Sequence, residues 1–279
     1  MKKLIPTLLV LLALVACKND KSNTSEIDAN ASSTVDTLKD SSEKNTSETN
    51  LAKAYPEELL SVFKTHGGLN HWKKMNNLCF EMKGSDGLET HTVSLHDRKS
   101  KIENKKWSIG FDGSEVWLLK HELGYEGNPR FYHNLMFYFY AMPFVLADPG
   151  INYTSVEPTE LQGKKYEGIK ISYNDGVGDS SKDEYILYYN PDTYVMEWLA
   201  YTVTFRDQKQ SNDWHFVKYE KWQEVNGFQL PRKMVWWNVK DGKPSEAKSS
   251  LKFGKVALTE TKLDAAIFEK PSEAEYVKP

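Results

Sequence analysis

The sequence predicts a mainly β fold, in which one antiparallel meander, closed or strongly curved, carries an N-terminal helix and a helical insert. Two observations predict it. Glycine and polar turn residues recur from residue 78 to residue 256, and the segments between them favour β structure. One apolar and aromatic run, HNLMFYFYAMPFVLADPG at 133–150, interrupts this pattern. Consecutive strands at hairpin spacing are typical of sheets that curve or close.

The composition is that of a globular protein with many aromatic residues. The chain has 279 residues, of which 39% are hydrophobic and 13% aromatic, and its formal net charge is −3. This length fits one sizeable domain with appendages. Basic and acidic residues are mixed along the chain, so no concentrated basic surface is predicted, and we expect no nucleic-acid partner.

The N-terminus has the features of a secretion signal. Lys2 and Lys3 precede an apolar stretch at 4–16, which is shorter than the roughly 20 residues that span a bilayer. The following LVAC at 14–17 resembles the lipobox of bacterial lipoproteins. That resemblance implies a signal peptide over residues 1–16 and a lipid attached to Cys17, which would anchor the chain to a membrane. A plain signal peptide with a chance cysteine is the alternative.

The residues after Cys17 indicate where in the cell envelope the protein is located. Lys18 stands where the resembled lipoproteins carry an aspartate as an inner-membrane retention signal, so an outer-membrane location is expected. KNDK at 18–21 also resembles charged export tags that send some lipoproteins of the Bacteroidota to the cell surface. We therefore expect a lipid-anchored domain on the periplasmic face of the outer membrane or on the cell surface.

A polar segment separates this anchor from the folded domain. Residues 18–53 are dominated by Ser, Thr, Asn, Asp and Glu and contain no aromatic residue, which predicts disorder. The expected tether, residues 17–54, has a reach of roughly 30 to 35 Å. The only other cysteine is Cys79, so lipidation of Cys17 leaves no internal disulfide. We expect Cys79 to be a buried, inert thiol rather than a reactive one.

The folded domain, residues 55–279, is predicted to open with one helix. In YPEELLSVFKTHGGLNHWKKM, the proline favours an early helical position and the two glycines favour a stop. The apolar residues of this helix are Leu59, Leu60, Val62 and Phe63.

Eleven segments are then predicted to be strands. The turns FDGSE, YYNPDTY, EVNGFQLP and VKDGKP join several of them. The predicted strands are 78–83, 89–96, 101–111, 115–120, 152–156, 166–173, 183–189, 195–205, 214–224, 229–239 and 247–256.

The apolar run is predicted to form a helix from about residue 129 to residue 141. Asn128 can cap it, Pro129 suits its first turn, and Pro143 must end it. Such a helix is apolar around most of its circumference, so it cannot lie on the outside of a soluble domain. The alternative is a strand, which would place Phe137 and Phe139 on one face and Tyr138 and Tyr140 on the other.

Several short motifs together resemble the LolA/LolB-like lipoprotein carriers. They are HGGLNHW, DGSEVW, PFVLADPG, YYNPDT, EKWQEVNGFQLPRKM and LDAAIFEKP, in this order over about residues 55–275. More closely, they resemble an uncharacterised family of Gram-negative lipoproteins with that fold. The resemblance implies an incomplete antiparallel barrel around an apolar cavity, with helices as a lid and acyl chains of lipoproteins as ligands. No residue of the carriers that contacts acyl chains can be matched here.

The apolar run is therefore interpreted as lid and cavity wall. Large rigid side chains line apolar pockets, although the same residues could instead fill a solid core. The lid candidates are Phe131, Leu135, Met136, Phe137, Phe139 and Phe144. The candidates for the opposite wall are Trp72, Trp107, Trp117, Trp198 and Phe205.

Catalytic and metal-binding motifs are not found in the sequence. There is no HExxH, GxSxG, P-loop or paired-cysteine motif. His91 and His96 lie five residues apart on one predicted strand and would point to opposite faces. SSKDE and EKPSEAE are interpreted as a solvated turn and tail. His133 within the apolar run is expected to be satisfied by a hydrogen bond to a tyrosine rather than to mark a site.

These features predict an outer-membrane lipoprotein that binds an apolar or lipid-like ligand without catalysis, metal or cofactor. The alternative is an accessory subunit of a cell-envelope complex, in which exposed aromatic residues such as MVWWN bind another protein. A third interpretation is an enzyme that acts on envelope material.

Overall fold

The computed structural model describes residues 51–121, 125–178 and 180–278. The predicted signal peptide, Cys17 and nearly all of the predicted tether lie outside the described residues. Within these ranges, no helix is long and apolar enough to span a membrane.

Residues 51–54 at the start of the described chain are helical, although the predicted tether includes them, and two further helices follow. Helix α1, Glu57–Thr65, buries Leu59, Val62 and Phe63, and the short helix α2, Leu69–Trp72, follows it. Gly67 and Gly68 separate the helices with φ values of 118° and 89°, which glycine adopts without strain. A Cβ on Gly67 would lie 2.7 Å from the carbonyl oxygen of Gly227, so the backbones of this turn and the β-sheet approach closely.

Thirteen strands of the described residues form a single antiparallel sheet. Its spatial order is β13-β5-β4-β3-β2-β1-β12-β11-β10-β9-β8-β7-β6, so β6 and β13 are its edges and the sheet is not closed. The predicted mainly β fold with one continuous antiparallel sheet is confirmed. The strands are β1 Asn77–Gly84, β2 Gly87–Ser94, β3 Ser100–Glu103, β4 Trp107–Phe111, β5 Val116–Lys120, β6 Ile151–Leu161, β7 Lys164–Tyr173, β8 Tyr185–Tyr189, β9 Met196–Tyr201, β10 His215–Val225, β11 Phe228–Lys240, β12 Lys243–Thr259 and β13 Glu275–Tyr276.

Several parts of the sheet differ from the sequence prediction, since β9 ends at Tyr201, β12 covers Lys243–Thr259, and β13 was not predicted. The strand expected over 101–111 is two strands, β3 and β4. The side-chain oxygen of Asn104 accepts hydrogen bonds from the backbone N–H groups of Lys106 (2.7 Å) and Trp107 (3.0 Å), and these bonds stabilise a turn between the strands. Strand β6 continues past the predicted 152–156 to Leu161, with an irregularity in register between Val156 and Thr159.

The two faces of the sheet carry different apolar clusters. We call the face covered by the helices the inner face and the opposite one the outer face. Leu199 and Val217 belong to the main core on the inner face, whereas their chain neighbours Trp198 and Phe216 belong to a second cluster with Tyr188. Successive side chains of a strand point to opposite faces, so the continuous apolar sequence of β8 to β10 supplies both clusters.

The C-terminal tail covers part of the outer face. A 3₁₀ helix, Ala265–Phe268, buries the side chain of Phe268, and the indole N–H of Trp117 donates to the carbonyl oxygen of Phe268 (3.0 Å). Trp117 also lies over Gly110 of the neighbouring strand, where a Cβ would approach its ring to 2.2 Å. The prediction that EKPSEAE is a solvated tail is therefore wrong in part, since Ala274 is buried and β13 pairs with β5.

Candidate functional site

The insert comprises residues 129–147, between β5 and β6. It contains helix α3, Pro129–Tyr132, helix α4, Leu135–Tyr140, and a 3₁₀ helix, Phe144–Ala147. As expected, the side chain of Asn128 caps α3, accepting hydrogen bonds from the backbone N–H groups of Arg130 (3.0 Å) and Phe131 (3.3 Å).

The prediction of one helix over 129–141 is wrong, and so is the strand alternative. The chain breaks at His133 and Asn134, where Nδ1 of His133 donates to the carbonyl oxygen of Arg130 (2.7 Å). One ring nitrogen of His133 is thus satisfied by a backbone carbonyl, and the expected hydrogen bond to a tyrosine stays a prediction.

One side of the insert is part of the protein core. Met136, Phe137 and Tyr140 are buried, and the ring of Tyr140 stacks on Phe80 of β1 with a centroid distance of 4.3 Å. The hydroxyl of Tyr219 donates to the carbonyl oxygen of Phe139 (2.7 Å), which fixes the last turn of α4 on the sheet. We call this the core side of the insert.

The other side borders a cavity of about 200 Å³, which we call the insert cavity. Its walls come from the insert, from the segment between β7 and β8, and from Phe205 after β9. Aromatic and aliphatic side chains make up most of the lining. The aromatic and aliphatic lining residues are Phe131, Leu135, Tyr138, Phe139, Met142, Val145, Tyr173, Val177, Tyr185 and Phe205.

Two carboxylates lie at the wall of the insert cavity. Asp148 forms an ion pair with Arg98; burial raises the pKa of Asp148, and Arg98 opposes this rise. The carboxylate of Asp183 accepts hydrogen bonds from the backbone N–H (2.6 Å) and the hydroxyl (2.7 Å) of Thr204. Burial raises the pKa of Asp183 as well, against these two bonds. Both carboxylates thus already have partners within the protein.

A second cavity of about 190 Å³ lies between α2 and the insert. Trp72 and Phe144 line it, with their rings stacked at a centroid distance of 4.4 Å. Arg98 also lines this cavity, and Asp148 borders both cavities. The Arg98–Asp148 ion pair therefore lies at the wall between them.

The predicted wall residues are divided among several places. Phe131, Leu135, Phe139 and Phe205 line the insert cavity, and Trp72 and Phe144 line the second cavity. Met136 and Phe137 lie in the main core and line neither cavity.

The other three tryptophans do not reach the cavities either. Trp107 belongs to a separate cluster with Ile102, Ile109 and Val116. Trp117 and Trp198 lie on the outer face, because strand alternation turns them away from the helices. The wall opposite the insert is formed instead by Tyr173 and Tyr185, neither of which was predicted from the sequence.

A buried polar network joins the insert to the β1–β2 hairpin. Nε2 of His91 donates to Glu89 (3.1 Å), and the hydroxyl of Tyr132 in α3 donates to the same carboxylate oxygen (2.8 Å). Glu89 and His91 are only 1% and 2% exposed, so a substrate cannot reach them. Burial lowers the pKa of His91, against the opposing effect of Glu89. The network is thus suited to holding the insert in place.

His66 connects the end of α1 to the sheet. Its Nε2 accepts a hydrogen bond from the backbone N–H of Met196 (3.1 Å), and its Nδ1 donates to the carbonyl oxygen of Gln229 (3.3 Å). Burial lowers the pKa of His66 to about 4, so the ring is neutral at physiological pH. The histidine of the HGG motif therefore has a structural role.

The remaining sequence candidates show no reactive arrangement. Cys79 is half-buried rather than buried, and burial raises the pKa of its thiol. Among the residues that the structure describes, no group of three His, Cys, Asp or Glu side chains could hold a metal ion.

Comparisons with known proteins give one family model and several solved structures to which the chain is similar. Residues 127–263 match the model of a family of unknown function, DUF6503. This match includes the whole insert and ends after β12. No curated protein matches the sequence.

Several solved structures are similar to the chain at low identity. A LolA superfamily protein from Nitrosomonas europaea has 13% identity and a TM-score of 0.45, and the match covers 75% of this chain and 96% of that one. A DUF1329 family protein from Desulfovibrio piger has 9% identity and a TM-score of 0.47, covering 77% and 98%. The MucA/MucB complex of Pseudomonas aeruginosa has 8% identity and a TM-score of 0.23, covering 79% and 64%. The LolA superfamily is also the group that the sequence motifs resemble.

Proposed function

We propose that the protein is a lipid-anchored lipoprotein of the bacterial outer membrane that binds an apolar or lipid-like ligand without catalysing a reaction. The observation that carries this proposal is the insert cavity, in which aromatic rings from the insert face Tyr173 and Tyr185 of the sheet. A lining in which apolar and aromatic side chains outnumber the polar ones is typical of sites that bind small ligands. The half-buried side chains of Phe131, Leu135 and Phe205 are available to contact a ligand.

The size of the cavity limits the ligand. About 200 Å³ is below the roughly 300–1,000 Å³ of pockets for drug-sized ligands. It exceeds the roughly 150 Å³ of an engineered apolar cavity that binds benzene. A single ring or the end of one acyl chain fits this volume, and each buried methylene group stabilises such a complex by about 0.8 kcal/mol. The rest of a longer ligand would extend out of the cavity.

The aromatic residues of MVWWN give little support to the alternative of an accessory subunit. The indole N–H of Trp236 donates to the hydroxyl of Tyr201 (3.1 Å), and Trp237 packs on Trp198 with a centroid distance of 5.3 Å. Both tryptophans are thus committed to contacts within the domain. An enzymatic role is also less well supported, because Asp148 and Asp183 at the cavity already have partners.

Extraction of the purified protein with organic solvent, followed by mass spectrometry, tests ligand binding. We expect an acyl-containing or other apolar molecule in the extract, and less of it from Phe205→Ala, which removes one wall of the cavity. Val203→Ala is the matched control, because Val203 is exposed nearby and does not line the cavity. An extract with no such molecule, together with no uptake of a fatty-acid dye by the protein, would reject the proposed function.

The lipid anchor is tested separately. We expect Cys17→Ala to abolish incorporation of a fatty-acid probe in cells, because no other residue near the signal end supplies a thiol. Label retained by this variant would exclude Cys17 as the lipid attachment site and leave the ligand proposal intact.

A further inference from the structure

Four lysines lie side by side across four neighbouring strands. Lys221 of β10 pairs with Lys233 of β11, and Lys233 pairs with Lys252 of β12. Met82 of β1 pairs with Phe253 of β12, and the two strands are antiparallel. One position further along, Lys83 therefore lies opposite Lys252. We call Lys83, Lys252, Lys233 and Lys221 the lysine row.

The lysine row lies on the outer face. Met82, Met234 and Phe253 each adjoin a lysine of the row in sequence, and all three are buried in the main core on the inner face. Side chains alternate along a strand, so the lysines point the other way. Lys83, Lys221 and Lys252 are exposed, and Lys233 is partly exposed.

This arrangement is unfavourable for the isolated protein. Like charges directly opposite each other on neighbouring strands are destabilising. Lys233 is compensated by Glu220 (2.7 Å), but Lys83, Lys221 and Lys252 form no ion pair in the part of the chain that the structure describes. Lys255 and Glu81, on the same face, compensate each other (3.0 Å). The row therefore keeps an excess positive charge that an anionic partner would neutralise.

An exposed leucine continues the row. Lys83 pairs with Leu88 of β2, and Leu88 is 58% exposed, the most exposed of the large hydrophobic side chains described. It lies beside the β1–β2 hairpin turn, at the margin of the sheet's outer face. Lysines next to an exposed apolar side chain suit the surface of an anionic membrane. The lysines can pair with anionic lipid headgroups, and the apolar side chain can enter the boundary between headgroups and acyl chains.

We propose that the lysine row and Leu88 form a surface that binds the anionic headgroups of a lipid membrane. Neighbouring strands are about 4.8 Å apart, so the four lysines span roughly 14 Å, more than one small anion can bridge. The two cavities described above lie on the helix-covered side, and no lysine of the row lines either of them. This inference does not depend on the ligand of the insert cavity.

Vesicle binding tests the proposal. The protein without residues 1–16 and with Cys17→Ala lacks both the predicted signal peptide and the lipid anchor, and it is compared on vesicles of phosphatidylcholine alone and of phosphatidylcholine mixed with phosphatidylglycerol. We expect stronger binding to the anionic vesicles, weakened by salt. Each lysine near an anionic surface contributes roughly fivefold in affinity, so Lys83→Gln combined with Lys252→Gln should lower binding roughly 25-fold. Leu88→Ser should also lower it.

The matched control is Lys64→Gln combined with Lys74→Gln, two exposed lysines by the helices that carry the same change in charge. We expect this control to keep most of the binding. Urea unfolding should show that the row variant is at least as stable as the parent, because a like-charge contact is removed. Equal losses in the row variant and the control, or no preference for anionic vesicles, would overturn the proposal. Tight binding to a soluble polyanion with none to vesicles would overturn the assignment to a membrane.

Discussion

The two sides of the insert have similar compositions and different surroundings. On the core side, Phe137 and Tyr140 are 2% and 0% exposed and pack among the side chains of the sheet. On the cavity side, Leu135 and Tyr138 are half-buried and border about 200 Å³ of open space. Phe139 lies between them, buried and also in contact with the cavity. Apolar content alone therefore does not distinguish a core residue from a residue of a ligand site; position around the helix does.

Truncation of a core-side residue should have the largest effect. We expect Phe137→Ala to lower the free energy of unfolding by about 3 to 5 kcal/mol, because it leaves a cavity in a packed core. Leu→Ala substitutions in a packed core lower the free energy of unfolding by at least roughly 2 kcal/mol. We expect Leu135→Ala to lower it by clearly less, because the side chain of Leu135 already borders open space. Urea unfolding of both variants measures the difference. Equal costs would remove the distinction between the two sides.

The pH dependence of stability should differ in sign between His66 in the core and the carboxylates at the cavity. The folded-state pKa of His66 is about 4 against 6.5 for the free side chain, so between these values the unfolded chain binds the proton and the folded protein does not. Stability is therefore lost as pH falls from 6.5 to 4, by about 3 kcal/mol for this group. Buried His91 acts in the same direction.

The raised pKa values of Asp148 and Asp183 have the opposite effect. The unfolded chain releases these protons first, so their contribution to stability falls as pH rises from about 3.8 through the folded-state pKa values. We expect the His66 effect to dominate in urea unfolding from pH 7 to pH 4. A His66→Gln variant should show a shallower loss over this range, and an unchanged slope would contradict the role of His66.

The network beneath α3 should have an intermediate effect. Tyr132→Phe removes the donor to buried Glu89, which we expect to lower the free energy of unfolding by about 1 to 3 kcal/mol. Tyr125→Phe removes the same atom from a ring near Tyr132 and is the matched control. If Glu89 and Tyr132 hold the insert, Tyr132→Phe should also speed amide hydrogen exchange in α4. Equal exchange rates in both variants would show that the network does not hold the insert.

Much of the fold could be predicted from the sequence because the signals are local. Turn residues mark most strand ends, and Asn128 and Pro129 mark the start of α3 through capping chemistry. The break at His133 was not predicted, because the sequence contains no glycine or proline between Pro129 and Pro143 to mark it. Trp117 was assigned to the cavity since nothing in the local sequence shows that the C-terminal tail covers it.

The candidate site was predicted less completely than the fold. The residues of the insert were found because an apolar run between Asn128 and Pro143 is visible in the sequence. Tyr173 and Tyr185 were not predicted to line the cavity. They lie at the ends of β7 and β8, and the connection between these strands has the sequence of a polar turn. They meet the insert only when the sheet has formed, so no short-range pattern reveals them.

Filling the insert cavity tests the central claim most directly. Leu135→Trp places a large ring in the space, while Val239→Trp adds the same ring at an exposed position of β11 away from the cavity. Titration with an environment-sensitive fatty-acid dye measures binding, and urea unfolding confirms that both variants are folded. We predict at least a tenfold loss of dye affinity in Leu135→Trp and parental affinity in Val239→Trp. Undiminished affinity in a folded Leu135→Trp protein would contradict the claim that the insert cavity binds the apolar ligand.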